Sequence, residues 1–153
     1  NSEAMSSMVN AVTKDGNSVI MWSAWSQSFE VVKLLLEHGA DVSLANRNGC
    51  TIAHWAASGG SLELCHYLYR YTKQTVDFTV KNQAGNTPLS HAVAYGRTDV
   101  VQWLQEEVYQ SNDDLDLVQD QELAMELAQE FVSWSEHGDD ESKRQEVLNL
   151  FVS

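Results

Sequence analysis

The candidates for nucleophilic catalysis or metal binding in this 153-residue chain are its two cysteines, Cys50 and Cys65, and two of its five histidines, His54 and His66. Cys50 and His54 lie four residues apart, and a histidine within reach of a thiol can activate it as a nucleophile. With Cys65 and His66 they also supply the ligand types that zinc prefers, but not the close ligand pairs of a zinc knuckle. We therefore predict that these residues hold no metal ion.

Motifs for other chemistry are missing from the sequence. Gly59-Gly60 is not followed by the Lys-Ser/Thr pair of a phosphate-binding loop, and there is no Gly-x-Ser-x-Gly motif. The carboxylates after residue 105 are expected on solvated helix faces, whereas a glycosidase needs two carboxylates opposed across a cleft. The sequence thus predicts no enzyme activity and no cofactor.

A repeated unit organises the first two thirds of the chain. Three segments align when each starts at a glycine (Gly16, Gly49 or Gly85), at spacings of 33 and 36 residues. Each is followed at the same offset by a segment with apolar residues at helical spacing. These segments are residues 29–36, 62–69 and 98–104. We therefore predict that each unit consists of a tight turn with glycine at positive φ, a short helix, a loop and a longer helix.

The signals for turns and helix starts agree with this unit. Pro88 falls in the first turn of a helix, where its missing N–H costs little, and Thr51 and Thr87 precede the same helix as candidate caps. Residues 39–42, Gly-Ala-Asp-Val, follow the first longer helix. This combination resembles the ankyrin repeat over about residues 14–104. The resemblance implies an all-α ankyrin-repeat solenoid of helix–loop–helix units with β-turn fingers.

Two positions in the repeats carry particular expectations from the resemblance. Gln27 stands where the family usually has a glycine between the two helices. His54 falls at the family's histidine position, where the side chain ties the turn together by hydrogen bonding. A structural role is therefore expected for His54.

The resemblance also implies that a ligand lies against the turn tips and the exposed side of the first helices. The candidate partner-binding residues at these positions are Trp22, Trp25, Ser26, Arg47, Asn48, Trp55, Ser58, Gln83, Asn86, His91 and Tyr95. Three of them, Trp22, Trp55 and His91, share one register position and are expected to form a column across the stack. For Trp22 and Trp55, packing between repeats is the alternative to partner contact.

Trp25 is the most informative of these candidates. It lies three residues after Trp22, so the two indoles share one side of the helix. Its position is exposed and variable in the ankyrin family, and an exposed tryptophan is a good anchor for a partner. Tyr95 is assigned as the matching position two repeats on.

The segments outside the repeats are also expected to be helical. Residues 1–13 are predicted to be a capping helix or a degenerate repeat, residues 14–110 the ankyrin repeats, and residues 111–153 an acidic helical cap. Apolar residues between Leu117 and Trp134 predict one helix of about 20 residues. A second, shorter helix is expected to open at Ser142.

Acidic residues are concentrated at the C-terminal end. Residues 105–153 contain 14 Asp and Glu against 2 Lys and Arg, whereas residues 1–104 contain 8 against 7. Such a charge distribution attracts neither nucleic acid nor an anionic membrane surface, and no apolar run is long enough to span a bilayer. Two cysteines are too few for a secreted disulfide framework, so an intracellular location, cytoplasmic or nuclear, is expected. The missing initiator methionine indicates a fragment of a longer chain.

Two functions are compatible with these observations. The first is a non-catalytic protein–protein interaction module that binds a protein or peptide on the concave ankyrin face. The second is a structural or regulatory spacer of a larger protein, whose acidic C-terminal helices dock a basic partner. The two differ in their response to salt, because only the second depends mainly on charge.

Overall fold

The computed structural model describes residues 2–70, 72, 75–110, 115–134 and 138–152, and in these ranges the regular elements are helical apart from one antiparallel bridge between Val12 and Ser18. The helices are α1 (Ser2–Val9), α2 (Val19–Trp25), α3 (Phe29–Glu37), α4 (Ile52–Gly59), α5 (Leu62–Arg70), α6 (Pro88–Ala94), α7 (Thr98–Trp103), α8 (Leu115–Trp134) and α9 (Gly138–Val152). A π-helical turn, Leu104–Val108, continues α7. The predicted all-α solenoid is confirmed.

Three helix pairs, α2–α3, α4–α5 and α6–α7, form the stack. The first helices pack side by side in the order α2, α4, α6, and α8 packs on the far side of α6. Helix α9 lies against α8 and α7. No single pair buries its own apolar face, so burial by neighbouring pairs holds each unit in place. In the described part of the chain, no helix has the length and apolarity that a membrane crossing requires.

A hydrogen-bonded turn precedes each first helix. In the second repeat, Asn46 Oδ1 accepts from the backbone N–H groups of Asn48 and Cys50 at 3.0 and 2.9 Å. Asn82 repeats this pattern in the third repeat. The turn glycines have the predicted left-handed backbone, with φ values of 83°, 78° and 83° for Gly16, Gly49 and Gly85.

Backbone hydrogen bonds also join one turn to the next. The N–H of Arg47 donates to the carbonyl of Asp15 at 2.8 Å, and the N–H of Gln83 donates to the carbonyl of Asn48 at 2.9 Å. The turns of the three repeats therefore form one continuous edge. Because backbone groups make these bonds, the side chains at the turn tips stay free to vary.

Helices α2 and α4 approach so closely that Gly59 has no room for a side chain. A Cβ atom at Gly59 would lie 2.6 Å from the carbonyl oxygen of Trp25 and 2.8 Å from that of Ala24. These contacts are to backbone atoms, so a rotamer change cannot relieve them. The separation of the first two repeats is fixed at this point.

The C-terminal end of α4 is capped from both neighbouring repeats. Gln27 Nε2 donates to the carbonyl of Gly59 at 2.6 Å, and Arg97 Nε donates to the carbonyl of Ser58 at 2.8 Å. Gln27 occupies the position where glycine is usual and has a φ of 60°, which costs a non-glycine residue about 1–2 kcal/mol. The hydrogen bond to Gly59 offsets part of that cost. A cation near the last carbonyls of a helix is also favourable, and Arg97 supplies it.

The first repeat leaves its outward face open. Val31 in α3 is 43% exposed, whereas Leu64, its counterpart in the second repeat, is fully buried. Helix α1 leaves Val31 exposed, and its own Met5 and Met8 are exposed as well, although Val9 at its end packs against the core. The Asn10 side chain also attaches this segment by hydrogen bonds to the backbone of Gly39 and Asp41. The interpretation of residues 1–13 as a capping helix or a degenerate repeat stays a prediction.

A buried carboxylate joins the C-terminal helices to the last repeat. Thr87 Oγ1 donates to Asp120 Oδ1 at 2.9 Å, and the Tyr109 hydroxyl donates to Asp120 Oδ2. Burial raises the pKa of Asp120, and burial beside that carboxylate raises the pKa of Tyr109. The expectation that all carboxylates after residue 105 lie on solvated faces is therefore wrong for Asp120.

The apolar stripe predicted for α8 faces the stack. Ala124 and Ala128 are buried, and Leu127 is partly buried against the core. The side chains of Phe131 and Trp134, which belong to the same predicted stripe, lie outside the described residues. Helix α9 begins at Gly138 and not at the predicted Ser142. The boundaries of the three predicted segments remain predictions.

Replacing Gly59 by alanine is expected to lower the free energy of unfolding by about 1–3 kcal/mol, because the new methyl group meets two carbonyl oxygens. Helix propensity alone favours alanine over glycine by roughly 1 kcal/mol, so the two effects have opposite signs. Urea denaturation followed by circular dichroism decides between them. A Gly59→Ala protein as stable as the unmodified chain would mean that α2 and α4 can separate without cost.

Replacing Asp120 by alanine is expected to cost about 2–4 kcal/mol, because two buried hydroxyl groups lose their acceptor. Glu122→Ala is the matched control, since Glu122 is an exposed carboxylate on the same helix and its loss should change stability by less than about 0.5 kcal/mol. Both values come from urea denaturation at pH 7. Equal effects of the two substitutions would contradict a bonding role for Asp120.

Candidate partner-binding site

A cleft of about 210 Å³ opens across the first helices of the three repeats and the turn of the second repeat. It is lined by Trp25, Asn46, Asn48, Cys50, His54, Trp55, Ser58, His91 and Tyr95. We call this cleft the aromatic slot. It brings together six of the predicted partner-binding residues: Trp25, Asn48, Trp55, Ser58, His91 and Tyr95.

Three tryptophans form a cluster at one end of the aromatic slot. The ring of Trp22 lies edge to face with Trp55, at a centroid distance of 4.8 Å, and with Trp25, at 6.5 Å. Trp22 and Trp25 are still 46% and 43% exposed. Trp22 and Trp55 thus pack between repeats, as one of the two interpretations predicts, and Trp22 keeps a free face. Such edge-to-face pairs hold the rings in fixed orientations.

Tyr95 stands at the other end of the aromatic slot and is 52% exposed. It is the residue that caps the C-terminus of α6, which makes it the counterpart of Ser26 in α2. The predicted match of Tyr95 with Trp25 is therefore wrong by one residue. Trp25 corresponds in register to Ser58 and Ala94. The guanidinium carbon of Arg97 lies 6.0 Å from the centre of the Tyr95 ring.

His54 forms part of the floor and has both ring nitrogens engaged. The N–H of Thr51 donates to His54 Nδ1 at 3.1 Å, so the ring proton is on Nε2, which donates to the carbonyl of Asn86 at 2.9 Å. Burial lowers the pKa of His54. The expected role of this histidine in tying the turn together is confirmed. Neither nitrogen is left to activate Cys50, whose sulfur accepts from Asn82 Nδ2 at 3.3 Å.

His91 and Ser58 form the second polar pair of the floor. The Ser58 hydroxyl donates to the carbonyl of His54 at 2.8 Å, and Ser58 Oγ lies 3.0 Å from His91 Nδ1. Because the hydroxyl has only one hydrogen, His91 Nδ1 must be the donor to Ser58. The ring of His91 therefore carries its lone pair on Nε2. Burial and the neighbouring His54 ring, 5.0 Å away, lower the pKa of His91 to about 4.

The other predicted residues lie outside the aromatic slot. Ser26 Oγ donates to the carbonyl of Trp22 at 2.8 Å, which ends helix α2. Arg47, Gln83 and Asn86 are exposed at the turns. Their role in binding stays a prediction.

Three slot residues were absent from the predicted set. Asn46, Cys50 and His54 reach the floor because the turn before α4 folds back over the helix start. Asn46 was detectable in principle, since an asparagine recurs at the same place in the third repeat as Asn82. His54 was assigned a structural role alone, and it lines the slot while fulfilling that role.

The candidate metal ligands do not form a metal-binding group in the residues that the structure describes. In the described ranges, no three His, Cys, Asp or Glu side chains are grouped so that they could hold a metal ion. Both cysteines are free thiols and both are buried. Burial raises the pKa of Cys65 to about 12, so at neutral pH it is a protonated and poor nucleophile.

Models of known protein families match this chain over nearly the same residues as the repeats. A family model for three copies of the ankyrin repeat matches residues 40–116, and a single ankyrin-repeat model matches residues 15–47. The two matches together span the three helix pairs and the start of α8.

Curated relatives share only part of their length with this chain. The chain is 34% identical over 91 residues to the probable 26S proteasome regulatory subunit p28 of Saccharomyces cerevisiae, which covers 60% of this chain and 39% of that protein. It is 38% identical over 65 residues to the human Notch-regulated ankyrin repeat-containing protein, which covers 42% and 57%. A mouse relative, protein fem-1 homolog A-like, is 29% identical over 65% of this chain and 14% of its own length.

The stability of the protein is expected to fall between about pH 6.5 and pH 4 because of His91. Its pKa in the folded protein, about 4, lies below the ordinary value of 6.5, so the unfolded chain binds the proton more readily in this range. The loss should approach roughly 3 kcal/mol relative to His91→Asn, which keeps a donor near Ser58 but does not titrate. Denaturation of both proteins at pH 7, 5.5 and 4 measures it. A difference that does not change with pH would show that His91 titrates normally.

Proposed function

The chain belongs to the ankyrin-repeat family, and from this premise we propose that it is a non-catalytic interaction module that binds a protein or peptide at the aromatic slot of its concave face. By concave face we mean the turns and the exposed side of the first helices. Ankyrin repeats generally mediate protein–protein interaction. The observation that carries the proposal is the pair of half-exposed rings, Trp25 and Tyr95, at the two ends of one cleft that spans three repeats.

Covering exposed aromatic rings contributes a favourable free energy of binding. Tryptophan and tyrosine are enriched among interface residues whose truncation costs 2 kcal/mol or more, and their large apolar area explains this. Trp22 adds a third ring that contacts Trp25 and Trp55 and is itself half exposed. A partner that covers these rings buries their exposed apolar area at one site.

The floor of the slot is rigid before any partner binds. His54, Ser58 and Asn46 each use their polar atoms in hydrogen bonds to the protein itself. A site that is already ordered needs less ordering entropy on association. This pre-organisation supports a binding role over a merely exposed apolar patch.

The names of two relatives are in keeping with a role in recognition. The yeast relative is described as a regulatory subunit of a larger assembly and the human one as Notch-regulated. The matches cover 60% and 42% of this chain and 39% and 57% of the two relatives, so we carry over the general role alone and no partner identity. The two buried free cysteines fit the proposed intracellular location, cytoplasmic or nuclear.

The second candidate is a structural or regulatory spacer of a larger protein with a docking surface on α8 and α9. Helix α8 exposes Glu122, Leu123 and Glu126 to solvent, and residues 105–153 hold most of the negative charge. A basic partner is the natural ligand for such a surface. This candidate leaves the exposed rings of Trp25 and Tyr95 without a role, and we therefore rank it second.

Selection of peptides from a displayed library against the immobilised chain tests the proposal. Peptides that bind at the aromatic slot should lose at least about 30-fold in affinity to the double variant Trp25→Ala/Tyr95→Ala, equivalent to roughly 2 kcal/mol. Raising the salt concentration from 0.1 to 0.5 M should change their affinity little, because apolar burial dominates. Leu34→Ala is the matched control, since it removes an equally exposed apolar side chain on α3.

The opposite result identifies the second candidate. Basic peptides that bind the double variant as well as the unmodified chain, and that weaken steeply with salt, would place the binding surface on the acidic helices. Loss of binding in both Leu34→Ala and the double variant would indicate a general structural effect, which circular dichroism of each variant detects.

A further inference from the structure

We propose that the aromatic slot receives an uncharged side chain with one hydrogen-bond donor, such as the indole of tryptophan or the phenol of tyrosine, from an extended segment of the partner. This inference rests on the proposed function, because it names the chemistry that the concave face would recognise. Three features of the slot lead to it: the charge of the lining, the rings at its ends and one free acceptor.

The lining of the aromatic slot carries no charged side chain. None of its nine residues is Asp, Glu, Lys or Arg. A lysine or arginine of a partner would leave water without gaining a carboxylate, and burial of an unpaired charge is strongly unfavourable. An acidic side chain would in addition meet the electron-rich faces of aromatic rings.

The charged groups that flank the aromatic slot also disfavour a cation. The guanidinium carbon of Arg97 already lies 6.0 Å from the centre of the Tyr95 ring, within the range of a cation–π contact. Arg47 is exposed between Asn48 and Asn46, two residues of the lining. A second positive charge near these guanidinium groups would be repelled. An uncharged side chain is the one class that avoids each of these costs.

One imidazole nitrogen in the floor of the slot is left as an acceptor for the ligand. His54 uses both ring nitrogens, and Ser58 both donates and accepts. Of the four imidazole nitrogens in the lining, Nε2 of His91 is the one without a hydrogen-bond partner among the residues that the structure describes. Because His91 Nδ1 donates to Ser58, Nε2 can only accept, and its complement is an N–H or O–H donor.

An aromatic donor satisfies these features together. Its ring would pack between Trp25, Trp55 and Tyr95 at the distances usual for edge-to-face pairs. Its N–H or O–H would reach His91 Nε2. An apolar side chain such as leucine would fill the space but leave the acceptor unpaired, which costs affinity.

NMR titration of the full chain with three small probes tests this inference. The probes are N-acetyl-tryptophanamide, its 1-methylindole analogue and N-acetyl-lysinamide. We expect N-acetyl-tryptophanamide to shift the indole N–H signals of Trp25 and Trp55. Its Kd should be roughly three- to tenfold lower than that of the methylated analogue, which lacks the donor, and at least about tenfold lower than that of the lysine probe.

The variant His91→Phe assigns the donor effect to one atom. It keeps an aromatic ring of similar size and removes the acceptor, so the two indole probes should bind it equally. Melting curves of the variant verify that it is folded. Equal binding of the two indole probes to the unmodified chain, tighter binding of the lysine probe, or no shift of the slot signals would each overturn the inference.

The two proposals fail in different ways. If library peptides depend on Trp25 and Tyr95 but insert a lysine or arginine, the concave-face module stands and the slot chemistry is wrong. If N-acetyl-tryptophanamide binds the slot while every selected peptide is indifferent to the Trp25→Ala/Tyr95→Ala substitution, the slot chemistry stands and the partner-binding face is wrong.

Discussion

The close approach of α2 and α4 at Gly59 sets the spacing on which the aromatic slot depends. The backbone of one helix touches the carbonyl groups of the other, and Gln27 and Arg97 hold the end of α4 from both sides. These contacts fix the first helices of all three repeats relative to one another. Trp25, Trp55 and Tyr95 lie on these helices or at their ends, so the distances between the three rings follow from backbone contacts and not from side-chain packing alone.

A buried carboxylate completes the C-terminal end of the stack. At the C-terminal end, Asp120 enters the protein to accept hydrogen bonds from Thr87 and Tyr109. A buried carboxylate is costly unless its oxygens are bonded, and here both are. The negative charge of this segment is therefore not only a solvated surface, since one of its members specifies how α8 meets the last repeat.

The sequence was sufficient to predict the repeats and their turns but not the details that neighbours impose. Gly49 and Pro88 act through their own backbone geometry, which makes their positions readable from local spacing. Asp120 and Gln27 depend on groups more than 30 residues away, at Thr87 and Gly59, and single-sequence periodicity carries no such information. The slot was predicted in part for the same reason: Trp25 and Tyr95 were recognisable as exposed aromatics, whereas Asn46 and His54 reach the floor only after the turn has folded back.

The open face of the first repeat has a consequence for the order in which the protein loosens. In a linear stack, the stability of a unit is approximately its own contribution plus one term for each interface with a neighbour. In the described part of the chain, the second and third repeats have a well-packed interface on both sides, whereas the first repeat leaves Val31 on its outer side exposed. Helices α2 and α3 therefore belong to the part of the chain that opens first, and Trp25 opens with them. A ligand that touches Trp25 and Tyr95 at once links this weakest unit to the third repeat, so recognition and the ordering of the first repeat are thermodynamically coupled.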